Sequence, residues 1–326
     1  MLSSEILTAN LLSPVVLAFC LGIFAAVVKS DLKFPESFFA GLSAYLLLAI
    51  GLKGGVALGE IPIKTIIFPV VATLSVSIIT PYIAFFLCRY IGKLKLDDAA
   101  AMAAHYGSVS IVTFITTRVF VESVGLKSDD YMTGLVAIME VPGIVFALLL
   151  AQGVFRAKTV KGIDLFERLR GIFLSKSIYL LWGGLLIGIL TGPGGLEKVS
   201  GFFIDPFYGI LVLFMLEMGL MAGSRLHELQ RTGPFLIGFA LGMPLLTGAI
   251  AIVIAKLIGF SVANAVVFAT MTASASYIAA PAAVRVALPF ANPSFYLTSS
   301  LAITFPFNLT IGIPTYYLLT KWWYSL

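Results

Sequence analysis

Apolar residues run in long blocks along this chain, and polar residues gather at a few recurring points inside and between them. Each block is near the roughly 20 residues that cross a bilayer as a helix. The pattern predicts ten spans, at about 10–28, 36–58, 65–91, 97–123, 131–155, 173–192, 202–224, 233–258, 262–288 and 294–320. The first block lacks a basic leader and has a counterpart later in the chain, so it reads as a helix and not as a signal peptide.

The polar pattern occurs twice. LLLAIGLKGGVAL at 46–58 matches FMLEMGLMAGSRL at 214–226, at an offset of 168 residues. Gly51, Leu52, Gly54 and Gly55 fall against Gly219, Leu220, Ala222 and Gly223. Asp97, Gly107–Ser110 and Arg118 fall against Asn264, Ser274–Ser276 and Arg285 at offset 167, and Glu140-Val-Pro142 against Thr304-Phe-Pro306 at offset 164. A doubled membrane chain with helix-breaking polar residues at equivalent points is the pattern of a secondary transporter.

Composition sets the solvent. The chain is 60% hydrophobic and 11% charged, against about 25% charged in a soluble domain. Cys20 and Cys88 lie in or at the end of apolar spans and form no metal or disulfide pattern. Fourteen of the 21 Lys and Arg fall in the loops between spans 1/2, 3/4, 5/6, 7/8 and 9/10 or in the span ends that border them. The positive-inside rule then places the polar connector 157–172 in the cytoplasm and both termini outside, in a cell (inner) membrane. The domain reading is a five-span repeat at 1–156, the connector, and a second repeat at 173–326. Five spans is an odd number, so the second repeat is inverted. The connector's charges suit membrane lipid or a partner protein, or simply a solvated linker.

Polar residues inside a bilayer are costly and usually functional. Span 4 carries Asp98, His105, Gly107, Ser108, Ser110 and Thr113; span 9 carries Asn264, Ser274, Ser276, Tyr277 and Pro281. Gly107 and Pro281 weaken the helix, so breaks are expected at about 107–112 and 275–280. Each break starts a second half-helix at mid-membrane, with free amide N–H groups and the positive end of its dipole. Two such ends facing each other suit a small anion. Gly107, Ser108, Ser110, Thr113, Ser274, Ser276, Tyr277 and Ala279 form the expected substrate set. Carbonyls freed on the first half-helices, with hydroxyl oxygens, suit Na⁺. The expected coupling-ion set is Asp98, His105, Ser110, Glu140, Ser274 and Ser276. Glu140 either ligates a cation, carries a proton, or balances an arginine such as Arg118 within the fold. Small polar residues also line helix contacts simply to allow close approach. The case for a site rests on recurrence in both halves.

These residues resemble a known family, the cyanobacterial-type sodium-dependent bicarbonate transporters. The strongest stretch is Ala291-Asn-Pro-Ser294, followed by Tyr296, Ser299-Ser300, Ala302-Ile303 and Pro306, and preceded by Arg285 and Pro289. Ser274, Ser276, Ile278 and Pro281 resemble its second break; Gly107, Val109, Ser110 and Thr113 resemble its first, with Asp98 nine residues before Gly107. Pro142 matches an Asp-Ile-Pro in which Glu140 stands for the aspartate. The resemblance implies an all-α membrane protein of ten helices in two inverted five-helix repeats, with broken spans 4 and 9 crossing in a core that moves against a gate. It implies Na⁺-coupled uptake of bicarbonate, a homotrimer, and a small PII-like cytoplasmic regulator. Where the family's second break carries three serines and then an aspartate, this chain reads Ser274-Ala-Ser-Tyr-Ile-Ala-Ala280.

The leading reading is therefore a secondary active anion symporter with Na⁺ as the coupling ion and no cofactor. A cation/proton antiporter using Glu140, Asp98 and His105 is the second, and a non-transporting membrane sensor or scaffold the third. No nucleophile triad, metal motif or phosphate loop supports an enzyme, and no basic patch suits nucleic acid.

Overall fold

The computed structural model describes residues 12–151, 170, 174–226 and 229–326. Apart from Arg170, the connector at 157–172 lies outside the described residues, as do residues 1–11. The described residues form helices and loops, with no strand among them. Helices α1 (Pro14–Val27), α2 (Glu36–Glu60) and α3 (Ile63–Phe86) are followed by α4 (Leu96–Tyr106) and α5 (Ile111–Ser123). Next come α6 (Met132–Glu140), α7 (Pro142–Ala151), α8 (Lys176–Lys198) and α9 (Phe207–Ser224). The chain ends in α10 (Leu229–Leu257), α11 (Val262–Thr272), α12 (Ala279–Ala287) and a final span, 293–325, that closes as α13 (Ile313–Ser325).

Eight of the described helical stretches are long and apolar enough to cross a membrane. Two of the expected ten spans are shorter: Pro14–Val27, and Val262–Thr272, which stops where the chain leaves the helix at Ala273. The protein is thus an all-α, multi-pass membrane protein. Its outer surface agrees, since Ile63, Ile67, Phe68, Val71 and Ile78 of α3 are exposed, as lipid-facing side chains are. By contrast, the most apolar stretch within Leu96–Ser123 is wholly buried. Irregular backbone at membrane depth is tolerated where protein surrounds it.

The helices pack in two groups. In the first, α2 lies against α8 and α1 against α9. Glycine makes both approaches possible. A Cβ on Gly51 or Gly55 would strike the backbone carbonyl of Leu181 or Leu185, and one on Gly188 would strike that of Leu52. Likewise a Cβ on Gly22 would strike the Leu216 carbonyl, and one on Gly219 that of Phe19. Backbones this close make their contacts by dispersion, which drives helix association in lipid. In the second group α3, α4 and α7 pack together, and α11 packs on α5, α10 and α13.

Two reciprocal ties hold the ends of the second group. Asp98, in the first turn of α4, accepts the Asn292 backbone N–H at 2.7 Å. Asn264, in the first turn of α11, accepts the Asp129 backbone N–H at 2.9 Å and donates to the Asp129 carboxylate at 2.6 Å. Each broken span is anchored at its start to the loop that follows the other.

Candidate functional site at the helix crossing

The first break is the gap between Tyr106 and Ile111, and the second the gap between Thr272 and Ala279. Gly107 fits where it does because a Cβ there would sit 2.7 Å from the Pro81 ring. Gly143, one residue past Pro142, leaves room for the Gly107 carbonyl, which a Cβ on Gly143 would strike. Pro281 lies in the first turn of α12, where its missing N–H forfeits no helix bond.

The two breaks cross and bond to each other. Ser110 donates its backbone N–H to Ser274 Oγ at 2.7 Å, and Ser276 donates its own to the His105 carbonyl at 2.7 Å. Ser110 Oγ donates to the Tyr277 hydroxyl at 3.1 Å. Each second half-helix takes a serine bond at its start: Ser110 caps α5, its Oγ accepting from the Thr113 N–H at 3.2 Å, and Ser276, two residues before the α12 cap position Ile278, accepts the Ala280 N–H at 3.3 Å through its Oγ. Thr113 Oγ1 adds a bond to Ser110 Oγ at 2.8 Å. The N-termini of α5 and α12 therefore meet in one buried spot. The amides of Ile111 and Val112, and of Ile278 and Ala279, open those ends, where a helix offers no partner four residues back.

Between them lies a small cavity lined by Leu47, Val109, Ser110, Ile111, Glu140, Ser276, Tyr277 and Ile278, with about 10 Å³ of room. That is space for roughly one water. Glu140 closes one wall. The residue is 2% exposed, and its Oε2 has no hydrogen-bond partner among the described residues. Ser108 Oγ donates to the Glu140 backbone carbonyl at 3.0 Å, which ties the end of α6 to the first break. Arg118 does not balance this carboxylate, because it pairs with Asp130 at 2.8 Å and donates to Thr133 at 3.0 Å. Ionising a buried carboxylate with one oxygen left unbonded costs several kcal/mol, so a bound cation or proton is its natural complement.

The chain belongs to the Na⁺-dependent bicarbonate transporter superfamily. The model of that family matches residues 14–321, from the first residue of α1 into α13. Both breaks and Glu140 lie inside the matched region. No curated protein sequence matches the chain.

Of the residues expected at the site of this superfamily member, the structure brings together Ser110, Thr113, Ser274, Ser276, Tyr277 and Glu140 through the bonds and cavity above. Gly107 and Ser108 shape the first break, and Ala279 is buried as the first residue of α12. Two expected ion ligands lie elsewhere. The Asp98 carboxylate is bonded to Asn292, nine residues before Gly107, or about 13 Å along a helix. His105 turns its ring to Tyr296, stacked at 4.4 Å, and its Nδ1 faces the Ala101 carbonyl at 2.8 Å. Only its backbone carbonyl reaches the crossing. Glu217 is on α9 and does not line the cavity.

Several carbonyls expected to be free are already used. Ala273 O accepts from Asn308 Nδ2 at 3.0 Å, and Met271 O from Ser274 Oγ at 2.7 Å. Asn308 was missed in the sequence, although a buried amide within the last apolar span is itself a signal. Leu47 was also missed, and nothing in an apolar run marks one leucine as a cavity wall.

Proposed function

We propose that the chain is a Na⁺-coupled symporter of bicarbonate or a similar small anion, working by alternating access in an elevator mode. One observation carries this reading: the N-termini of α5 and α12 meet at a cavity walled by Glu140, whose buried Oε2 has no hydrogen-bond partner among the described residues. Helix N-termini offer amide donors and positive dipole ends to an anion. Glu140 offers a hard oxygen to Na⁺, and the cation's charge in turn offsets the carboxylate beside an anion. Each ligand thus improves the site for the other, which is the physical content of coupling.

The packing suits a sliding core. Backbone-to-backbone glycine contacts bind α1 to α9 and α2 to α8, and α9 also packs on α2. Leu47 of α2 touches the cavity from that group, so relative movement of the two groups would uncover it. The reading extends to two inverted repeats, 1–156 and 173–326, to a trimer, and to both termini outside. An engineered cysteine at residue 164 that labels from outside intact cells would overturn that orientation.

A second reading is proton coupling, favoured by the orphan Glu140 Oε2. Uptake of labelled bicarbonate into proteoliposomes separates the two. Uptake driven by an inward Na⁺ gradient supports symport. Uptake driven by a pH gradient alone, with no response to Na⁺, supports the proton-coupled alternative.

A further inference from the structure

A second cavity, of about 320 Å³, opens at the end of the fold where α2 and α5 finish and α6 and α9 begin. Its charges are sorted by depth. Glu60, Glu122 and Asp130 stand exposed at the rim. Lys53 and Arg118 are partly buried below them, Lys53 seven residues before Glu60 on α2 and Arg118 four residues before Glu122 on α5. These separations are about 10 Å and about 6 Å along a helix axis. Below the cations, Ile50, Phe114 and Ile115 make an apolar floor. One turn further along the same two helices, Leu47 and Ser110 line the small cavity at the crossing.

Lys53 has no ion pair and no hydrogen bond among the described residues; its Nζ sits 4.7 Å over the Phe207 ring. Arg118 spends one N–H on Asp130 and one on Thr133. Guanidinium has five donors, so others remain. Asp130 and Glu122 act on Lys53 across the cavity without bonding to it, so its ammonium keeps direct ligand positions open within a membrane span.

We infer that Lys53 and Arg118 form a second, outer anion site, which captures a small oxyanion one step before the crossing. The site takes a monovalent, planar oxyanion of bicarbonate's size, the ammonium meeting one oxygen and the remaining guanidinium donors another. The cation–π contact holds Lys53 in place without neutralising it. Of the rim carboxylates, Asp130 takes one guanidinium N–H of Arg118, and Glu60 and Glu122 make no ion pair with either cation among the described residues. The inference builds on the anion reading above, but its site and its test are separate from Glu140 and the breaks.

The test is protection of Lys53 from an amine-reactive reagent in detergent-solubilised protein, read by mass spectrometry of its peptide. Bicarbonate is the probe, with chloride at equal ionic strength as control. The expected result is protection by bicarbonate at concentrations where chloride gives little, with that protection lost in Arg118→Gln. In proteoliposomes, Lys53→Gln should raise the half-saturating bicarbonate concentration about tenfold, the scale of one charged hydrogen bond, with the maximal rate nearly unchanged. Lys53→Arg should restore it. Protection without any transport would uphold the outer site and sink the symport reading. Equal protection by chloride and bicarbonate, or Lys53→Gln with wild-type half-saturation, would overturn the outer site whatever the transport assay shows.

Discussion

Ser274 Oγ accepts the backbone N–H of Ser110 at 2.7 Å, across 164 residues of sequence. The bond places the cap of one half-helix against the unwound segment of the other. It thereby sets where the two helix N-termini meet. Both residues are buried, so no solvent stands by to replace a lost partner.

Ser274→Ala removes that acceptor and leaves the Ser110 N–H unpaired. The expected cost is about 1–3 kcal/mol of stability. Thermal unfolding of purified protein is the check, with the exposed Ser37→Ala as control, expected within about 0.5 kcal/mol of wild type. Equal stability of the two variants would show that the cross-break bond contributes nothing.

Glu140→Gln keeps the side chain's shape and removes its charge. Because Arg118 is committed to Asp130, no arginine is stranded by the change. The variant should fold with wild-type abundance and lose Na⁺ stimulation of uptake. It should also show lower apparent anion affinity in Na⁺, since binding of the two ligands is linked. A poorly folded variant whose surviving protein keeps its Na⁺ response would return Glu140 to a structural role.

The reciprocal ties at Asp98 and Asn264 make a third test. Asp98→Ala strands the Asn292 N–H, and Asn264→Ala strands that of Asp129. Each should cost about 1–3 kcal/mol, while Asp98→Asn, which keeps an acceptor oxygen, should cost less. Residual Na⁺ affinity per folded molecule should stay at wild type in all three. A lowered Na⁺ affinity in Asp98→Asn at full stability would make Asp98 an ion ligand after all.

The glycine seam between α2 and α8 gives a fourth. Gly188→Leu drives a side chain into the Leu52 backbone carbonyl. Overpacking of this kind costs about 1–3 kcal/mol or more, and here backbone must move. Membrane abundance should fall sharply, whereas Gly183→Leu, at a position with open space, should be tolerated. Equal abundance would mean the helices can part without penalty.

The membrane class was legible because the bilayer demands long apolar spans, and those are plain in any window. The breaks were legible because Gly107, Pro281 and the serines stand out against an apolar background. The duplicated Gly51–Gly55 and Gly219–Gly223 motifs pointed to something shared, and the structure gives their reason as backbone contact. Their partners Gly184, Gly188 and Gly22 were not singled out, since a glycine's opposite number lies in another span and no local pattern names it. The tie between Asp98 and Asn292 was hidden for a similar reason. An acid in span 4 reads the same whether it faces an ion or a loop amide, and only the fold shows that Asn292 comes to it. His105 likewise contributes its carbonyl where the sequence suggested its ring.

The most direct measurement of the central claim is Na⁺ flux driven by bicarbonate. Proteoliposomes with equal Na⁺ on both sides receive an imposed inward bicarbonate gradient at clamped pH, and entry of radiolabelled Na⁺ is followed. Coupling is reciprocal, so a symporter built on one shared site must carry Na⁺ uphill under that gradient. The account predicts transient Na⁺ accumulation in wild type and none in Glu140→Gln. Bicarbonate entry without Na⁺ accumulation in wild type would contradict it.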